Sequence, residues 1–263
     1  MSFAPAAGTP TSTVIHTGTD NLRAGDITIP VGSDALPAYF AAPQGKSGLP
    51  VVLVVQEIFG VHEHIKDVCR RLAHEGYLAV APELYFRQGD ATAYDDIPTL
   101  FAELVNRVPD AQVMGDLDAT AAWAATQGGD LERLGITGFC WGGRITWLYA
   151  AHSAQLKTGV AWYGRLQGAT DDLHPRQPVA VTGDMKVPVL ALYGEKDAGI
   201  TLDAVQAMKA ALAAGSPAAQ QSEFVVYPDA PHAFFADYRP SYRAEAAQDG
   251  WRRMLAWFAQ HLQ

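Results

Sequence analysis

Apolar positions along this chain follow two rhythms, and from residue 50 onward they alternate regularly. Pro50–Gln56 carries Val51, Val52, Leu53, Val54 and Val55 in unbroken succession, which predicts a strand buried on both faces. A helix follows around His64–Glu75, with Ile65, Val68, Cys69 and Leu72 sharing one face and Gly76 closing it. Tyr77–Ala81 is the next strand, stopped by Pro82, and Arg87–Ile97 reads as an excursion above the sheet edge. A helix over Asp116–Gln127 leads through Gly128-Gly129 into another short apolar strand. Gly159–Tyr163, Pro188–Tyr193 and Glu223–Tyr227 complete the strands. Between the last two, Thr201 caps a helix with Val205, Met208 and Leu212 inward and Gly215 as its stop. The C-terminal helix places Trp251, Met254, Leu255, Phe258 and Leu262 at helical spacing, as core anchors. Upstream, Gly25–Pro30 and Leu36–Ala42 pair as an antiparallel hairpin through Gly32-Ser33-Asp34. This order predicts an α/β protein: a doubly wound, mostly parallel sheet with an antiparallel N-terminal edge and helices on both faces.

Composition narrows the field. With 49% hydrophobic residues in 263, a large buried sheet is affordable as a single domain over 20–263. Residues 1–19 are rich in Ala, Pro, Thr and Gly, lack the basic and apolar regions of a signal peptide, and predict a loosely held arm. A net charge of −9 without a basic patch argues against nucleic acid or an anionic membrane as partner, and no apolar run approaches a membrane span. Two cysteines in unrelated contexts give no disulfide framework and point to a reducing cytoplasm.

The stretch Ile136-Thr137-Gly138-Phe139-Cys140-Trp141-Gly142-Gly143-Arg144 carries the chemistry. A short strand, a cysteine between glycines and the start of a helix form a Gly-x-nucleophile-x-Gly elbow of the α/β-hydrolase kind, with cysteine in the usual place of serine. Gly138 and Gly142 let strand and helix pass closely, and the helix N-terminus favours a thiolate. Cys69, on an apolar helix face, reads instead as core filler.

A nucleophile at such an elbow needs a base and a group to orient the base, each expected at the end of a later strand. Asp197 follows the strand ending at Tyr193, and His232 follows the strand ending at Tyr227. Asp229 and Glu195 compete for the acid position but fit the strand end less well. The oxyanion hole falls to the backbone N–H of Trp141 and of Ile58, in the loop Gln56-Glu57-Ile58-Phe59-Gly60. Glu57 ends a buried apolar strand and therefore needs a partner. An arginine such as Arg144 or Arg87 is one option, and the Cys140 thiol is another. His62-Glu63-His64 lacks the spacing of a helical zinc pair and reads as a solvated loop start.

These residues resemble the dienelactone hydrolase (carboxymethylenebutenolidase) family over roughly residues 25 to 262. The resemblance rests on Gln56–Gly60, Pro82-Glu83-Leu84-Tyr85-Phe86-Arg87-Gln88, the Cys140 elbow and the Asp197/His232 pair. It implies hydrolysis of small enol-lactones without metal or organic cofactor. In the resting protein it implies a neutral thiol, whose proton Glu57 takes when substrate binds, with His232 and Asp197 serving thioester hydrolysis. It also assigns Arg87 to a substrate carboxylate. The family's second arginine is displaced, because Arg239 comes three residues late with Asp237 intervening, which favours a related, more apolar ester or lactone. Phe59, Tyr85, Trp141, Tyr163, Phe234 and Phe235 are candidate pocket walls.

The leading expectation is thus a cysteine hydrolase of small esters or lactones, monomeric or homodimeric, with a small-molecule substrate. A phosphotriesterase using the same triad, and a non-catalytic redox or ligand-binding relative, remain open alternatives.

Overall fold

A computed structural model describes residues 3–263. The N-terminal hairpin pairs β1 (Leu22–Val31) with β2 (Asp34–Pro43). It is longer than the sequence pattern predicts, because Gly32 at φ 58° makes a tight turn and pairing reaches Val31 and Asp34. The apolar valine run is β3 (Leu49–Val55), with Val51 to Val55 wholly buried. It is followed by α1 (Glu63–His74) and β4 (Leu78–Pro82).

The excursion over Arg87–Ile97 then runs into a helix that the apolar pattern did not announce, α2 (Ile97–Glu103). Asp96 caps it by accepting the Thr99 N–H at 2.8 Å, and Pro98 sits in its first turn. Next come α3 (Asp110–Thr126), β5 (Gly129–Phe139) and α4 (Trp141–His152). The start of α3 lies upstream of Asp116 because Val113 and Met114 bury against the core. The chain ends with β6 (Leu156–Trp162), β7 (Val189–Gly194), α5 (Leu202–Ala213), β8 (Glu223–Tyr227) and α6 (Ala244–His261).

The strands form one eight-stranded sheet in the order β1-β2-β4-β3-β5-β6-β7-β8. β1 and β2 run antiparallel, as do β2 and β4, and every pairing from β4 to β8 is parallel. Helix α1 packs across β1 to β4, α3 and α4 pack on the central strands and on each other, and α6 packs on β6 and β7. Met254, Phe258 and Leu262 are buried as expected, whereas Trp251 and Leu255 are only partly covered. Trp257 joins the buried set, its indole N–H donating to Thr158 Oγ1 at 2.5 Å. Because β3, β5, β6, β7 and β8 are parallel, the loops that leave their carboxyl ends gather at one edge, and chain reversal between β3 and β5 opens a crevice there.

The N-terminal segment, expected as a loose arm, is fastened to this body over residues 3–19. Ala4 is wholly buried, the Thr13 hydroxyl donates to Asp237 O at 2.5 Å, and the Thr17 N–H donates to Asp67 at 2.6 Å. Among the described residues no helix is long and apolar enough to cross a membrane.

Candidate active site

Cys140 sits between β5 and α4 at φ 56°, ψ −113°, a backbone region that non-glycine residues seldom occupy. The glycines around it make this turn feasible. A Cβ on Gly138 would stand 2.1 Å from Gly142 O, and one on Gly142 would stand 2.5 Å from the carbonyls of Val55 and Gln56. Either substitution would push α4 away from the sheet. Cys69, by contrast, is wholly buried in α1, and burial pushes its thiol pKa upward.

The loops after β5, β7 and β8 bring three side chains into line. His232 Nε2 lies 3.2 Å from Cys140 Sγ, and His232 Nδ1 donates to Asp197 Oδ2 at 2.7 Å. Asp197 is held in turn, its Oδ1 accepting the N–H groups of Gly199 at 2.8 Å and Ile200 at 3.0 Å. With Nδ1 committed to the carboxylate, Nε2 is free to take a proton from sulfur. Burial pulls the His232 pKa down, but Cys140 and Asp197 outweigh it and push it up to about 10. The competing acids are elsewhere: Glu195 pairs with Lys196 and accepts the Asp229 N–H.

Cys140 opens into a cavity of about 670 Å³. Ile58 and Trp141 both line it, and neither backbone N–H has a protein acceptor among the described residues, the condition an oxyanion hole requires. Phe59 and Tyr163 supply aromatic wall, and Ile97, Phe101 and Val105 add an apolar side from α2 and the turn after it. These three stand four residues apart, a helical spacing that could have flagged them in the sequence. Arg239 also lines the cavity, its guanidinium 5.4 Å over the Phe59 ring.

Glu57 is in the cavity wall but meets neither arginine proposed for it. Arg144 is tied to Asp110 at 2.6 and 2.8 Å, and Arg87 is tied elsewhere. The Glu57 partner is Tyr238, whose hydroxyl donates at 2.6 Å, with His62 Nε2 3.4 Å from the same oxygen. Burial raises the Glu57 pKa, yet His62, His64 and Tyr238 outweigh it and hold the carboxyl down at about 2. His62 and His64 are not a solvated loop start: they are 4% and 1% exposed. The apolar covering of Phe3, Phe139 and Phe235 draws them in.

The Dienelactone hydrolase family model matches residues 36–262. The chain belongs to the dienelactone hydrolase family. It is 58% identical over 260 residues to a provisionally named carboxymethylenebutenolidase of Salmonella typhimurium, covering 98% of this chain and 95% of that one. A similarly named protein of Methylorubrum extorquens is 58% identical over 250 residues, covering 95% of this chain and 85% of that one. Among solved structures, a provisionally named dienelactone hydrolase from Klebsiella pneumoniae superposes with a TM-score of 0.88 at 62% identity, covering 91% of this chain and 99% of that one. A dienelactone hydrolase-like promiscuous phosphotriesterase from metagenomic libraries has a TM-score of 0.75 at 23% identity, covering 92% of this chain and 100% of that one, a likeness of fold. This family member is therefore a hydrolase acting on ester bonds.

Against the family motif and the expected aromatic walls, four expected pocket residues stand outside the cavity: Arg87, Tyr85, Phe234 and Phe235, the last packed on Phe139, Trp162 and Trp251. Arg87 donates to both oxygens of Asp116, at 2.7 and 3.1 Å, and to Asp34 at 2.6 Å, so each of its three guanidinium nitrogens is engaged away from the cavity. Tyr85 is wholly buried behind Trp141, with ring centroids 5.0 Å apart. Phe234 is core, packed on Trp162, Tyr163 and Tyr227. Tyr238 and Arg165 were not anticipated: no local pattern marks them, and they reach the site only through the fold, whereas Lys196 comes with its neighbour Asp197.

Proposed function

We propose that the chain hydrolyses small carboxylic esters and lactones through Cys140 and a thioester intermediate. The observation that carries this reading is the continuous contact from Cys140 Sγ through His232 to Asp197, at a strained turn open to the cavity. As sulfur attacks the acyl carbon, its proton passes to His232 Nε2, and the carbonyl electrons move onto oxygen, where the Ile58 and Trp141 N–H groups receive them. Collapse breaks the bond to the leaving oxygen, which takes the proton from His232. Water, deprotonated by the same imidazole, then attacks the thioester, and the proton returns to sulfur as the acid leaves. No metal or organic cofactor enters these steps.

Arg239 is the carboxylate partner we assign to the substrate, with Phe59 and Tyr163 beside the acyl group. A guanidinium without an ion pair among the described residues suits an anionic group, while Ile97, Phe101 and Val105 suit an apolar one. The free thiols fit a reducing compartment, where Cys140 stays reduced. Rapid mixing with p-nitrophenyl acetate is expected to give a burst of one equivalent and an acetyl adduct on Cys140 by peptide mass. A full-rate Cys140→Ala protein, or an adduct confined to another residue, would sink the assignment.

A further inference from the structure

The arm over residues 3–19 lies outside the stretch that the family model matches, yet it is bonded to the loop that presents Arg239. That loop joins β8 to α6 over residues 228–243 and holds neither helix nor strand, so no regular ladder fixes its backbone. The two carbonyls just before Arg239 are both taken by the arm. The Thr13 hydroxyl donates to Asp237 O at 2.5 Å and the Thr11 hydroxyl to the same oxygen at 3.2 Å, while the Thr11 N–H donates to Tyr238 O at 3.0 Å. Neither carbonyl accepts from any other group among the described residues. Phe3 adds an apolar contact, its ring 4.9 Å from that of Tyr238. The arm is itself fixed on either side of these contacts. The Ala6 N–H donates at 3.1 Å to Tyr94 O, in the excursion before α2. The Thr17 N–H donates to Asp67 at 2.6 Å, and Arg70 donates back to Thr17 O at 2.8 Å, both on α1. A chain held at both ends resists displacement of whatever is bonded to its middle. The Asp237 carboxylate is spent on His64 at 3.0 Å and Arg71 at 2.6 Å, which leaves the Arg239 guanidinium to face the cavity across Phe59.

We propose that the arm is a brace for substrate recognition, in which Phe3, Thr11 and Thr13 are positioning residues that hold the backbone at Arg239 so that its guanidinium meets a carboxylate on the ester. The inference rests on Arg239 being the carboxylate partner. An arginine on an unbraced loop must be ordered when the anion binds, and that ordering is subtracted from affinity. With the two preceding carbonyls tied to the arm, the backbone part of this cost is met on folding, and only the side chain remains to be ordered. The brace therefore acts on binding of an anionic substrate and leaves the chemistry at Cys140 alone.

The test compares kcat and KM for p-nitrophenyl succinate, which carries a free carboxylate, with those for p-nitrophenyl butyrate, which does not, in full-length variants checked by thermal melting. Thr11→Val/Thr13→Val keeps side-chain shape and removes both hydroxyls from Asp237 O. It is expected to lower kcat/KM for the succinate ester by about three- to tenfold, the worth of one neutral hydrogen bond. The loss should fall on KM, with kcat for succinate and both constants for butyrate within about twofold of wild type. Thr11→Ser/Thr13→Ser restores the donors and with them the wild-type preference. Phe3→Ala should shift the preference in the same direction, and it carries the test if the valine variant does not fold. Because the brace works through Arg239, neither variant should lower the succinate rate further once Arg239→Ala is present. Equal losses on the two esters, a loss that adds fully to that of Arg239→Ala, or wild-type preference in both arm variants would overturn the brace. Arg239→Ala alone separates the two readings. If it keeps the preference for succinate, the carboxylate assignment falls and the brace with it; if it abolishes the preference while the arm variants behave as wild type, the brace alone falls.

Discussion

Two cysteines and two arginines divide this molecule into a region where the thiol and the guanidinium are already used and one where they are left unmet. In and around α1 the thiol of Cys69 is wholly buried, and Arg87, across the sheet edge, spends its guanidinium on Asp116 and Asp34. At the carboxyl edge of the parallel strands, Cys140 is half-buried on a strained turn and Arg239 faces a cavity across the Phe59 ring. The residue types are the same, so chemistry alone does not separate them. What separates them is whether folding has already used the functional group. A thiol or guanidinium with its contacts filled contributes to stability, and one held rigidly with contacts missing is available to a substrate.

The sharpest way to break this contrast is at the thiols. Cys140→Ala should reduce ester turnover by about 10³-fold or more with little change in melting temperature, and a variant retaining half the wild-type rate would remove Cys140 from the chemistry. Asp197→Asn comes next. It should cost roughly 10²–10⁴-fold in kcat, because the imidazole loses the partner that fixes its tautomer, and a circular dichroism spectrum should show the fold unchanged. The arginines offer a finer test. Arg239→Ala should lower kcat/KM for a carboxylated lactone by roughly ten- to a hundredfold, from the loss of a charged hydrogen bond, while p-nitrophenyl acetate is affected much less. Arg87→Ala should show no such selectivity and should instead lower stability by about 1–3 kcal/mol in urea unfolding, because Asp116 is left buried without its partner. If Arg87→Ala were the selective variant, the family motif would have named the carboxylate site correctly and the cavity described above would be incomplete. Cys69→Ala has the smallest expected effect, a loss of about 1 kcal/mol from a small cavity with turnover intact.

Legibility in the sequence varied with how local each signal was. The Thr201 cap is such a local signal, and in the structure its hydroxyl accepts the Ala204 N–H at 3.3 Å. The helix over 97–103 was missed although its cap and proline were visible, because its apolar face is narrow and lines the cavity more than the core. Glu57 shows the opposite difficulty. Its need for a partner could be inferred from a carboxylate ending an apolar strand, but Tyr238 lies 181 positions away, and no local pattern selects it over an arginine.

By itself, the sequence determined the alternation of strands and helices, the elbow with its close-packed glycines, and the placing of Cys140, Asp197 and His232, in that order, at strand ends. Each depends on backbone geometry within a few residues, or on the rule that parallel strands deliver their carboxyl-end loops to one edge. Only the tertiary structure decided which charged and aromatic groups face the cavity. Arg87 and Arg239, Tyr85 and Tyr163, and His62 all offered suitable chemistry. Ion pairing and burial involve partners from remote parts of the chain, and they withdrew Arg87 and Tyr85 from the cavity while leaving Arg239 and Tyr163 in its wall.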